Sequence, residues 1–114
     1  MISGKKIRQI LCLAIRNKVL IVTKTDDDAR AIRNEIADFV RIYLSPDIRT
    51  QVHSTGVNIG GYEPFLVYDL KRWNAEKRAY PFSGVLIVTD ESISGINNIA
   101  EGTKKWLLPL EVKK

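Results

Sequence analysis

The sequence predicts an α/β protein built on a mostly parallel sheet of about four strands, with helices on both faces. Three observations carry that expectation. Val19–Thr23 and Val85–Thr89 are short, unbroken apolar or β-branched runs, the pattern of strands buried on both faces. Apolar residues recur at helical spacing before and between them. Strand and helix therefore alternate, which implies parallel neighbours joined by right-handed crossovers.

Taken in order, the chain opens with a basic amphipathic helix over residues 3–17, capped by Ser3. Ile7, Ile10, Leu11, Ala14 and Ile15 share one stripe, and Lys5, Arg8 and Arg16 lie opposite. Cys12 lies among apolar residues there and reads as packing. The strand Lys18–Lys24 follows. Thr25 reads as an N-cap, with Asp26, Asp27 and Asp28 in the first turn, where carboxylates meet the positive end of the helix dipole. Ala29, Ile32, Ile36, Phe39, Val40 and Tyr43 continue this helix until Ser45-Pro46 stops it.

Arg49–Ser54 reads as a short strand, and Gly56, Gly60 and Gly61 mark a loop. Pro64 is placed at the first position of a helix carrying Phe65, Tyr68, Leu70 and Trp73; a strand over Phe65–Leu70 is the alternative. The run Gly84–Asn97 (GVLIVTDESISGIN) is the stretch around which the rest is organised. Its strand ends in Asp90-Glu91, and open α/β sheets place ligands outside the carboxyl ends of their strands. A helical or turn segment around Asn97–Glu101 ends at Gly102. Trp106-Leu107-Leu108 is the last strand, cut off by Pro109 and therefore near an edge.

With 114 residues, 45% hydrophobic and 27% charged, one domain (residues 1–114) around a single core is expected. No apolar run is long enough for a membrane span and no secretory cleavage pattern is visible, so a cytoplasmic protein is expected. One cysteine excludes an internal disulfide and fits a reducing compartment. The net charge of +5 is uneven: Lys5, Lys6, Arg8, Arg16 and Lys18 precede any acid. Lys71, Arg72, Lys77 and Arg78 form a second cluster, and Lys104, Lys105, Lys113 and Lys114 a third. Such asymmetry fits a side that faces a polyanion, DNA or RNA, and equally a plain solvated face.

Thr89-Asp90-Glu91-Ser92-Ile93-Ser94-Gly95-Ile96-Asn97 resembles motif V of superfamily 2 helicases, a strand ending in Thr-Asp followed by Gly-Ile-Asp. The layout over Lys18–Leu110 is similar to the second RecA-like domain of that family, with Val19–Lys24 at the motif IV strand and Val52-His53-Ser54 at a strand ending in His-Ser. Asn97 stands where the family has Asp, and Ser94 where Arg is common. Neither the arginine-rich motif VI nor a Walker A sequence GxxxxGK[ST] is present, so the resemblance implies a RecA-like half domain that grips nucleic acid without a complete ATPase motif set. It also implies Thr89 and the Gly95 loop as phosphate contacts. The composition, rich in isoleucine and poor in glutamine, is similar to small orphan proteins of archaeal viruses, in which case the compartment is the host cytoplasm.

The preferred expectation is a non-enzymatic nucleic-acid-binding or accessory protein. Its contacts would be Lys71, Arg72, Lys77, Arg78, Thr89, Gly95, Lys5 and Arg8, without a cofactor. An alternative places Mg²⁺ on Asp26, Asp27, Asp28, Asp90 and Glu91 for phosphodiester hydrolysis or phosphotransfer. Helix capping alone also explains the Asp triplet. Tyr62, Phe65, Tyr68 and Trp73 read as core or as base-stacking aromatics. His53 has no partner in sequence that would make it a catalytic base. A third expectation is a homo-oligomeric structural or inhibitory protein that pairs through an exposed edge strand.

Overall fold

A computed structural model describes residues 4–110 of the chain. Helix α1 (Gly4–Arg16) leads into β1 (Val19–Thr23) and α2 (Asp26–Phe39), which continues as one π-helical turn, Val40–Leu44. Then come β2 (Thr50–His53), β3 (Gly56–Ile59), β4 (Tyr62–Asp69), α3 (Leu70–Ala75), β5 (Val85–Val88) and β6 (Lys104–Leu107). All six strands form one sheet in the order β2-β3-β4-β1-β5-β6. β4, β1, β5 and β6 are parallel, whereas β2 and β3 extend the sheet as antiparallel strands beside β4.

β1 takes the centre because no side chain in it needs water. Val19, Leu20, Ile21, Val22 and Thr23 are all fully buried, and the Thr23 hydroxyl donates to the Thr25 carbonyl at 2.7 Å. The two-residue period of a strand divides these residues between two cores. Val19 and Ile21, with Val85, Ile87, Phe65 and Val67, pack beneath α1 and α2. Leu20 and Val22, with Leu86 and Val88, pack on Tyr68, Trp73, Phe82 and Ile93 on the α3 side.

The sheet has six strands rather than about four and is mixed, with three parallel and two antiparallel pairings among the described residues, and one stretch accounts for the difference. The expected Gly56–Gly61 loop is β3 plus a hairpin turn. Gly60 and Gly61 have φ of 64° and 95°, the left-handed pair a two-residue hairpin requires, and Ile59 faces Tyr62 across it. Pro64 does not start a helix; it lies inside β4, where a register shift sets Glu63 and Pro64 against Asn58 alone. Such a bulge tolerates a residue without an N–H. The helix begins only at Leu70, where the Asp69 carboxylate accepts from the Arg72 N–H at 3.2 Å.

Other elements differ less. Thr25 caps α2 as expected, its hydroxyl accepting from Asp28 N–H at 3.1 Å. Tyr43 is not core: it is exposed and lies beside Phe39. On α1, Ile7, Ile10 and Ala14 are buried, but Ile15 is 76% exposed and Cys12 faces solvent instead of packing. The Ser3 cap lies outside the described residues. Around Asn97–Glu101 there is no helix. The segment is irregular, with a bend at Asn98 (φ 58°), a bridge from Phe82 to Ile99 and a turn at Glu101-Gly102, so the turn alternative holds. β6 is the edge strand expected from Pro109, starting two residues earlier at Lys104.

Candidate nucleic-acid interface and strand-end cleft

β1 and β5 are neighbours, so their carboxyl ends deliver Lys24 and Thr89-Asp90-Glu91 to one place. With Asp28 from α2 and Leu107, Pro109 and Leu110 beyond β6, they line a cleft of about 510 Å³. Lys24 Nζ lies 3.7 Å from Asp90 Oδ2. Asp90 Oδ1 accepts from the Ser92 hydroxyl at 2.6 Å and from the Ser92 N–H at 2.8 Å. The Ser92 hydroxyl, then its N–H, and then Lys24 hold the Asp90 carboxyl below its ordinary pKa.

Of the carboxylates expected to hold Mg²⁺, the fold brings Asp28, Asp90 and Glu91 to this cleft. Asp26 instead pairs with Arg30 at 3.1 Å, one turn along α2. Among the described residues no three His, Cys, Asp or Glu side chains are grouped to hold a metal ion.

Thr89, expected as a phosphate contact, lines this cleft with little exposed surface. It is buried, its N–H donates to the Val22 carbonyl at 3.2 Å, and its hydroxyl points to the same oxygen at 3.5 Å. The hydroxyl thus closes the β1–β5 junction. Gly95 remains exposed, with φ of 70° and its carbonyl bound by Asn74 Nδ2 at 2.9 Å. Asn74 Oδ1 also accepts from Asn97 N–H, and Trp73 Nε1 donates to the Asn97 carbonyl at 2.6 Å. α3 therefore holds the Gly95–Asn97 loop in place.

The four basic residues at α3 divide into two kinds. Arg78 lies over the Trp73 ring at 3.7 Å from its centroid, with Nη2 bonded to Glu76 at 3.0 Å. Arg72 donates to the Ser54 carbonyl at 2.9 Å and lies 3.8 Å from Glu76. Both arginines are committed to the fold, whereas Lys71 and Lys77 are exposed. Burial raises the Tyr68 hydroxyl pKa, and that hydroxyl donates to Glu76 at 3.1 Å.

Lys5 and Arg8 sit on α1, on the opposite face of the sheet from α3, and Arg8 lies 5.9 Å over the Phe39 ring. The expected contacts therefore form two separate basic regions. Phe65, Tyr68 and Trp73 are core; Tyr62 is the exposed member of that aromatic set. His53 is exposed on β2.

Arg33, which no sequence motif marks, is 5% exposed and donates through Nη1 to the carbonyls of Ser54 and Val67. Its signal was positional: residues 29, 32, 33 and 36 share the core-facing stripe of α2. Burial, opposed by Asp26 and reinforced by Arg72, lowers its pKa.

Compared with known protein families and with curated proteins, the sequence matches none. The fold is similar to a solved chain of the bacteriophage phi29 viral genome packaging motor assembly, with a TM-score of 0.62 and 16% identity. The likeness covers 96% of this chain and 39% of that one. No described helix is long and apolar enough to cross a membrane.

Proposed function

We propose that this chain is a nucleic-acid-handling component of a larger assembly, gripping phosphate backbone without itself catalysing a reaction. The observation that carries this reading is the fold shared, over nearly all of this chain, with a component of a viral genome packaging motor. The net charge of +5 agrees with it. Lys71 on α3, the helix whose Asn74 holds the Gly95 loop, and Lys77 just past its end are the first contact region, with Lys5 and Arg8 on the other face as the second. A titration against single- and double-stranded DNA and RNA over a salt series tests it. Binding that weakens linearly in log salt is expected; no binding to any of them at low salt overturns it.

The cleft at Asp90 favours a second, enzymatic reading. Mg²⁺ is commonly held by one or two carboxylates together with substrate phosphates rather than by a full protein cage. Asp90 and Glu91 supply such carboxylates, and Lys24 supplies a cation beside them. Calorimetry with Mg²⁺ and a nucleoside triphosphate distinguishes the two readings. Mg²⁺-dependent binding that is lost in Asp90→Asn favours phosphoryl chemistry here, and its absence leaves the binding function alone.

A further inference from the structure

The outer edge of the sheet at β6 is unpaired: β6 follows β5 in the strand order and no described strand follows β6. All four of its residues are exposed, Trp106 at 52% and Leu107 at 49%. The chain leaves β6 over the end of the sheet, where Leu110 lines the cleft with Lys24 and Asp28, so the outer edge is not covered by the described residues that follow.

The hydrogen bonding of this edge is fixed. Leu108 N–H donates to the Val88 carbonyl at 2.8 Å, so Leu108 and, by alternation, Trp106 and Lys104 turn their backbone groups toward β5. Lys105 and Leu107 consequently turn theirs outward. An antiparallel partner must form its hydrogen-bonded pairs with those two residues.

We propose that the β6 edge pairs antiparallel with β6 of a second copy of this chain, about a two-fold axis through Trp106. Only one register of self-pairing suits the residues. Setting Lys105 opposite its own copy places like charges face to face, which is unfavourable. Setting Leu107 opposite its own copy sets Lys105 against Pro109, which has no N–H to donate. The intermediate register pairs Lys105 with Leu107 twice, through four backbone hydrogen bonds, and brings Trp106 directly against the second Trp106. Trp106 shares its face with Ile87, so the two indoles meet on the α1 side of the sheet and bury each other's exposed surface. The result is a closed, isologous contact that leaves no further β6 edge open. Four strand residues per copy fall well short of the ~20–30 residues a side of stable complexes, so the dimer is weak and concentration-dependent. This inference does not rest on nucleic-acid binding.

Sedimentation of the full chain up to millimolar concentration, without nucleic acid, is the test. A monomer–dimer equilibrium is expected, with a dissociation constant raised at least about tenfold in Trp106→Lys, which sets lysine against lysine. Because the two Lys105 side chains lie diagonally across the pair, added salt strengthens dimerisation, opposite to its effect on nucleic-acid binding. A second measurement fixes the register. Residues facing each other in a non-hydrogen-bonded pair have Cα atoms about 4.5 Å apart, within disulfide range. In a Cys12→Ser background, Trp106→Cys should therefore cross-link under mild oxidation far faster than Lys104→Cys. A chain that stays monomeric overturns the proposal, as does a dimer that survives Trp106→Lys or cross-links as fast through Lys104→Cys as through Trp106→Cys.

Discussion

Arg33 and Arg72 donate to one atom: the Ser54 carbonyl oxygen accepts from Arg33 Nη1 at 2.7 Å and from Arg72 Nη1 at 2.9 Å. Arg33 comes from α2 on one face of the sheet and Arg72 from α3 on the other. Ser54 begins the turn between β2 and β3, where His53 faces Gly56. The antiparallel extension is therefore clamped at its tip by both helical layers. A carbonyl oxygen has two lone pairs, so two donors satisfy it without competition.

Loss of either arginine leaves the other on Ser54, but only Arg33 also serves the Val67 carbonyl. Arg33→Met should cost about 1–3 kcal/mol, since a charged donor and a buried acceptor lose their bonds. Arg72→Met, at a more exposed position, should cost about 1 kcal/mol. In the double variant the Ser54 carbonyl has neither donor, so the loss should exceed the sum of the single losses. Urea unfolding midpoints of the three variants measure this, and strict additivity contradicts a shared acceptor.

The division at α3 between exposed lysines and stacked arginines separates binding from stability. Each phosphate neutralised on duplex DNA contributes about 0.9 to the slope of log affinity against log salt. Lys71→Gln with Lys77→Gln should flatten that slope by up to about two of those steps, with the unfolding midpoint unchanged. Arg78→Gln should lower the midpoint, because it removes the cation from the Trp73 face and the Glu76 bond. Equal effects of the lysine and arginine variants on stability would contradict this division.

The two central strands β1 and β5 were legible because they obey simple periodicity. Val19–Thr23 and Val85–Val88 are buried along their whole length, and unbroken apolar runs announce that. β2 was expected over Arg49–Ser54 and spans Thr50–His53, whereas β3 and β4 were misread because their strongest cue was local. Val57-Asn58-Ile59 followed by Gly60-Gly61 is a hairpin signal, but Pro64 just beyond suggested a helix start. The bulge that accommodates Pro64 is invisible without the partner strand. At the site, Asp90 and Glu91 were placed at a strand end from sequence alone. The partners that immobilise Arg72 and Arg78 are Ser54, Glu76, Tyr68 and Trp73, and counting charges does not reveal them.

Two glycines of the hairpins should respond differently to a side chain. A Cβ on Gly56 would collide with the Phe65 carbonyl, backbone that belongs to the β3–β4 ladder and cannot yield cheaply. A Cβ on Gly60 meets nothing, and its only difficulty is φ of 64°. Gly60→Ala should therefore cost about 1–2 kcal/mol, and Gly60→Asn less, because Asn visits that region readily. Gly56→Ala should lower the unfolding midpoint by more than either, through displacement of β3 from β4.

The last prediction concerns the Asp90 carboxyl, whose titration reports on the cleft. The Ser92 hydroxyl is the largest influence holding its pKa down, followed by the Ser92 N–H, with Lys24 contributing less. Carbon-13 NMR titration of the side-chain carboxyl should place Asp90 below the ordinary aspartate value. Ser92→Ala keeps the N–H and removes the hydroxyl, so it should bring the pKa part of the way back; Lys24→Met should do less. The sign for stability follows from the depression. A carboxyl with a lowered folded pKa stabilises the fold above its unfolded pKa, and that contribution disappears as pH falls through the folded value. Asp90 is solvent-exposed, so its effect on stability is screened and the titration itself is the sharper readout. Any cation or phosphate held here with help from ionised Asp90 should persist to lower pH in the wild type than in Ser92→Ala. An Asp90 pKa unchanged by Ser92→Ala would mean that the Ser92 hydroxyl does not hold this carboxylate in solution.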